Sequence, residues 1–148
     1  SAELVFDQGL GDIFSIRIAG NFANQDILGS MEFACNVAGS KLVVVLGHTK
    51  CGALKGGLDA PQIEGLGMDN LNHLIYHFEP CIHEVIKEGE ERSSKNEDLL
   101  ERLNVCNIKS TINDIRHQSS TLRNLEKEGK IMIVGANYDV ETGVVTWL

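Results

Sequence analysis

Leu42-Val43-Val44-Val45-Leu46-Gly47-His48-Thr49-Lys50-Cys51-Gly52-Ala53-Leu54-Lys55-Gly56-Gly57 decides the fold. Its opening residues are apolar and mostly β-branched, with no polar alternation. Such a run is a strand covered on both faces, which points to a parallel sheet flanked by helices. Gly47 ends the run and leaves His48 and Cys51 at the carboxyl end of the strand, where α/β sheets gather their chemistry. Imidazole nitrogen and thiolate sulfur are preferred ligands of zinc. Cys51 to Lys55 reads as a first helical turn, whose free amides favour an anion or thiolate.

Working outward, Ala2 to Gly9 reads as a short helix and Ile13 to Ile18 as a strand. From about Asn24 to Ala38 the apolar positions Ile27, Leu28, Met31, Ala34, Cys35 and Ala38 recur at three and four, one face of a helix. Gly56 to Gly67 is glycine-rich and reads as a loop over the site. Asp69 or Asn70 is placed to cap the next helix, whose stripe runs from Leu71 to Ile86 with a kink or restart predicted at Pro80. A further helix starts after Ser94 or Asn96, with Leu99, Leu100, Leu103, Cys106, Ile112 and Ile115 inward. A short one covers Thr121 to Glu128. Ile131 to Gly135 is a second buried strand, and Tyr138 to Trp147 reads as a closing hairpin. The expectation is one α/β domain over 1–148, with a mainly parallel sheet flanked by helices and a C-terminal hairpin.

The totals narrow the function. A formal charge of −8, with Lys and Arg scattered, argues against nucleic acid and anionic membrane surfaces as partners. No apolar stretch approaches the roughly 18 residues of a membrane span. The four cysteines, Cys35, Cys51, Cys81 and Cys106, form no compact disulfide framework. Cys35, Cys81 and Cys106 read as small buried hydrophobes, and a reducing, cytoplasmic setting is expected.

Spacing alone leaves two readings of His48 and Cys51 open. One is a zinc pair; the other is a solvated His beside a buried Cys. Zinc needs three or four protein ligands, so two are not a site. His73 and His77, four apart on a helix, flank the apolar stripe without a metalloprotease motif and read as a solvated face. The glycines of 47–57 fit neither a Walker A loop nor a GxGxxG turn.

Gly47-His48-Thr49-Lys50-Cys51-Gly52 resembles the G-H-x-x-C-G signature of β-class carbonic anhydrases. Glu3-Leu4-Val5-Phe6, Gly11-Asp12-Ile13-Phe14 and Arg17-Ile18-Ala19-Gly20-Asn21 resemble the segment that precedes it in that family. Ser30-Met31-Glu32-Phe33-Ala34 is similar to the family's S-x-E-[YF]-A helix. Ile133 to Asp139 with Thr142-Gly143 is similar to its closing strand and hairpin. The resemblance implies Zn2+ held by Cys, His and Cys, with His48 and Cys51 as two of the ligands. It implies reversible hydration of CO2 to bicarbonate and a homodimer or higher homo-oligomer. Arg17, Asn21, Glu32 and Gly52 become supporting or structural residues near the site, Arg17 and Glu32 as a buried ion pair. Ile18 departs from the Asn the family often carries there.

The larger departure is that the family's C-x-D-x-R motif is missing from these 148 residues. That motif supplies the first zinc cysteine, the Asp-Arg pair governing access to the metal, and a central strand. No catalytic residue is therefore assigned, and none of Cys35, Cys81 or Cys106 sits in a matching context. In order of preference, the chain is an N-terminally incomplete piece of a longer enzyme, a chain completed by another that supplies strand and ligand, or a truncated relative without catalysis. The alternative to a carbonic anhydrase is a non-catalytic binding or regulatory domain of the same fold. A related zinc lyase acting on CS2 would share the site.

Overall fold

Leu42–His48 forms β1 in the computed structural model, which describes residues 1–148. Its parallel partner β2, Met132–Tyr138, runs in register from Leu42 opposite Met132 to His48 opposite Tyr138. The last strand β3, Val145–Trp147, turns back antiparallel on β2, giving the order β1-β2-β3. The strands expected from Leu42 and from Ile131, and the closing hairpin, are present. A parallel pair requires a long crossover, and here all the helices between β1 and β2 supply it.

Before β1 come α1 (Ala2–Val5) and α2 (Gln25–Glu32), the latter continued by a π-turn over Phe33–Val37. The crossover holds α3 (Gly52–Leu58), α4 (Ala60–Ile63), a 3-10 turn over Glu64–Leu66, α5 (Asp69–Tyr76) and α6 (Glu79–Val85). It ends with α7 (Glu97–Gln118) and α8 (Ser120–Lys127). Asn24 caps α2 and Asn96 caps α7, each side-chain oxygen accepting an amide three residues on. The stripe breaks between α5 and α6, and Pro80 falls in the first turn of α6, where its missing N–H costs nothing.

Two cores follow from one long helix. On one side of α7, Ile108 and Ile115 pack with Leu28, Met31, Val45, Leu122 and Ile133 against the sheet. On another, Leu99, Leu100 and Leu103 pack with Cys51, Leu54, Leu58, Phe78 and Ile82. The approach of α7 to the sheet depends on Gly47 and Gly135. A Cβ at Gly47 would lie 2.6 Å from both Asn104 Oδ1 and Ile108 Cδ1, and one at Gly135 would lie 2.7 Å from Ile108 Cγ2. Real side chains do not approach so closely, so only glycine lets α7 lie this near.

Several expectations are corrected. Ile13 to Ile18 forms no strand. A strand is defined by its neighbour, and these residues pair with none, although Ile16 packs on the first core. Gly56 to Gly67 is mostly helical rather than loop, because Leu54 and Leu58, four apart, are both fully buried and carry α3 onward. Neither Asp69 nor Asn70 caps α5; Met68 occupies that position without a side-chain bond. Cys35 is buried as expected, and burial pushes its thiol pKa up. Cys81 and Cys106 are not free thiols: they form a disulfide tying α6 to α7, with Cα atoms 5.8 Å apart. Antiparallel packing of the two helices closes a gap that the 25-residue spacing hides, and the expectation of a reducing setting loses its basis in these two residues. No helix is long and apolar enough to cross a membrane.

Candidate metal centre

β1 delivers His48 to the carboxyl end of the sheet, and a two-residue turn separates it from Cys51 at the start of α3. The turn reverses direction through Lys50, whose φ of +56° lies in the left-handed region. His48 is exposed, and its Nδ1 lies 2.8 Å from the Thr49 carbonyl oxygen. A carbonyl only accepts, so Nδ1 carries the hydrogen and the Nε2 lone pair is left for a ligand. Cys51 is 4% exposed and packed among the leucines of the second core, with its carbonyl accepting the Lys55 amide as the helix begins. Gly52 is exposed, with open space where a side chain would point.

The turn is tied to the hairpin that follows β2. The Thr49 amide donates to the Tyr138 carbonyl at 2.9 Å, and the Val140 amide donates to Thr49 Oγ1 at 3.0 Å. Lys50 pairs with Glu141 at the surface. The Asp139 carboxylate folds the hairpin tip by accepting the amides of Glu141 and Thr142, which hold its pKa below the usual carboxylate range.

Among the other anticipated residues, Asn21 also has a positive φ of +44°, and its buried Nδ2 has no partner. Beside it, the Gly20 carbonyl accepts from buried Asn107 Nδ2 at 2.7 Å. Glu32 does not pair with Arg17. Its carboxylate receives the hydroxyl of buried Ser119 at 2.6 Å, linking α2 to the cap of α8, while Arg17 is exposed and forms no ion pair. The expected pairing came with the family resemblance, and the hydroxyl of Ser119 satisfies the acid instead. His73 is exposed. His77 ends α5 with its ring stacked on Phe22 at 4.0 Å, so the two do not form a metal clamp.

The sequence reading missed a polar seam under the strand ends. Asn104, 1% exposed on α7, donates to Asn137 Oδ1 at 2.8 Å, and Asn137 donates to Glu101 at 2.9 Å. Asn137 stands opposite Gly47 in the register. The signal was available: Asn104, Asn107 and Thr111 recur at three and four on the inward face of α7.

His48 and Cys51 fit zinc by donor type, one imidazole and one sulfur three positions apart at a strand end. No group of three or more His, Cys, Asp or Glu side chains in the chain converges to hold a metal ion. His48 and Cys51 therefore stand as a pair of donors, with no third from these residues.

Comparison with known proteins adds the context that geometry alone does not. The family model described as carbonic anhydrase matches residues 1–145. The chain is 31% identical over 143 residues to "Carbonic anhydrase 2" of Mycobacterium tuberculosis, covering 97% of this chain and 66% of that protein. Its fold superposes on the β-carbonic anhydrase CcaA with a TM-score of 0.84 at 23% identity, covering 99% of this chain and 72% of that one. It also superposes on a tetrameric β-carbonic anhydrase of Sordaria macrospora with a TM-score of 0.83 at 19% identity, covering 100% and 74%. The chain thus spans about two thirds of the curated relative. A match over nearly every residue, with the G-H-x-x-C-G turn at the strand end, places this chain in the carbonic anhydrase family, with the fold of its β class.

Proposed function

We propose that the chain carries the His48–Cys51 half of the zinc site of a β-class carbonic anhydrase, an enzyme that reversibly hydrates CO2 to bicarbonate. The observation that carries this reading is the turn itself. His48 has Nδ1 tied to a backbone carbonyl and Nε2 left open, and Cys51 begins the next helix, in a chain of this family. When bound, zinc in such enzymes supplies hydroxide by lowering the pKa of its water to about 7. His48 and Cys51 would hold the ion. The Thr49 carbonyl fixes the imidazole tautomer, and the second core keeps water from the back of Cys51.

The remaining ligand and a strand beside β1 come, in this proposal, from protein outside these residues: more of the same polypeptide or another chain. Two observations support that. β1 is the edge of the sheet, and Ile13 to Ile18 passes without a ladder of its own. A strand added at that edge would satisfy the open backbone groups of β1. A homo-oligomer is supported by the apolar surface near α2, where Phe14 and Phe33 are about half exposed and face each other at 6.2 Å.

Metal analysis of the full-length protein, with stopped-flow CO2 hydration, tests the reading. About one zinc per chain is expected, with both zinc and rate lost in His48→Ala and Cys51→Ala. A folded protein holding no zinc and hydrating CO2 no faster than buffer would overturn it in favour of a non-catalytic domain of the same fold. That second reading is favoured by the pair of donors that finds no third within the chain. Sulfide release from CS2 without CO2 hydration would assign the related lyase instead.

A further inference from the structure

We infer that the β2–β3 hairpin is a positioning device for the metal turn, with the Thr49 hydroxyl as the residue through which it acts; the inference rests on His48 and Cys51 binding zinc. Two ligands three positions apart reach one ion only if the chain between them bends in one particular way. Here the bend passes through Lys50 at φ +56°, a conformation that a residue with a side chain holds only when its surroundings impose it. Nothing local imposes it. Gly52, next to the ligand, has open space around it, and the one hydrogen bond within the turn, from His48 to the Thr49 carbonyl, orients the ring rather than the backbone.

The restraint comes from the far end of the chain. Thr49 is held on both sides: its amide donates to Tyr138 O, and its hydroxyl accepts the Val140 amide. Lys50 reaches Glu141 one residue further along. The hairpin that supplies these partners is stiff in its own right. Asp139 accepts two amides of the tip through its carboxylate and a third, from Gly143, through its carbonyl, and its own amide donates to Val144 O. The three tethers differ in weight. Lys50 and Glu141 are about half and two thirds exposed, and an ion pair so placed contributes little and weakens with salt. The Thr49 hydroxyl is the specific contact, because only Ser or Thr places an acceptor there.

The test is zinc release from the full-length protein to a chromogenic chelator, together with the absorption spectrum of the cobalt-substituted form. Groups that orient metal ligands from outside the ligand set alter affinity by roughly 10–100-fold when lost. Thr49→Val is expected to speed release by about tenfold and to shift the cobalt bands, while Thr49→Ser keeps both at the wild-type values. Glu141→Gln is expected to change release less than Thr49→Val, with the difference from wild type vanishing in high salt. Wild-type release and an unchanged cobalt spectrum in Thr49→Val would overturn the inference while leaving His48 and Cys51 as ligands. A wild-type protein without zinc, or one whose zinc survives both His48→Ala and Cys51→Ala, would overturn the inference and the ligand assignment together. Should Thr49→Val fail to fold, Asp139→Ala loosens the hairpin without touching the turn. Faster release in that variant supports the device, and unchanged release overturns it.

Discussion

At Gly47 a single hydrogen in place of a side chain brings α7 against the strand that ends in His48. Gly47→Ala would press a methyl into Asn104 and Ile108, both nearly fully buried and neither free to swing out. Overpacking of this kind costs about 1–3 kcal/mol, so the variant is expected to lower the midpoint of urea unfolding with an unchanged slope. The placement of His48 and Cys51 at a strand end was legible in the sequence because it is local: three positions along one turn. Asn104, Asn107 and Ser119 were not singled out, since their value lies in which face of a helix meets which loop. Arg17 and Glu32 show the opposite error, in which an attractive charge pair yields to a hydroxyl on another element.

The elements hold together through α7. It contributes Leu103 to one core and Ile108 to the other, so the two cores share a single rod. The Cys81–Cys106 bond joins α6 to that rod across a separation of 25 residues. Closing a loop of that length restricts the unfolded chain by about 3 kcal/mol. Reductant, or Cys81→Ser with Cys106→Ser, is therefore expected to lower unfolding stability by that order, read by denaturant titration. Between α7 and α8, Arg116 grips Glu126 with two hydrogen bonds at 2.8 and 2.7 Å. That hydrogen bonding and the positive charge hold the Glu126 carboxyl below the usual glutamate range. A carboxyl depressed on folding stabilises the fold above its unfolded pKa, and the contribution is lost as pH falls through the folded value. Arg116→Gln is thus expected to be less stable than wild type near neutrality, with the gap narrowing in acid as thermal melts at stepped pH would show. Helices with a clean stripe could be read in advance, including the break at Pro80. The strand expected at Ile13–Ile18 could not be settled that way, because a strand exists only when a neighbour completes its hydrogen bonds, and periodicity says nothing of the neighbour. The helical continuation past Gly56 was masked by glycines whose cost is offset by Leu54 and Leu58.

For the molecule as a whole, the parallel pairing and the family follow from one stretch of sixteen residues and its companions in order. The completeness of the metal site does not follow, because it depends on residues beyond that stretch. The fold also imposes a schedule on the site. Thr49 Oγ1 and the Val140 amide that it accepts are 91 positions apart. Contacts between such distant parts of a chain form late, after the intervening loop entropy has been overcome. During synthesis His48 and Cys51 emerge from the ribosome long before the hairpin that restrains the turn between them exists. The turn reaches its final shape only once that hairpin has docked, so the end of β1 matures after the strand itself.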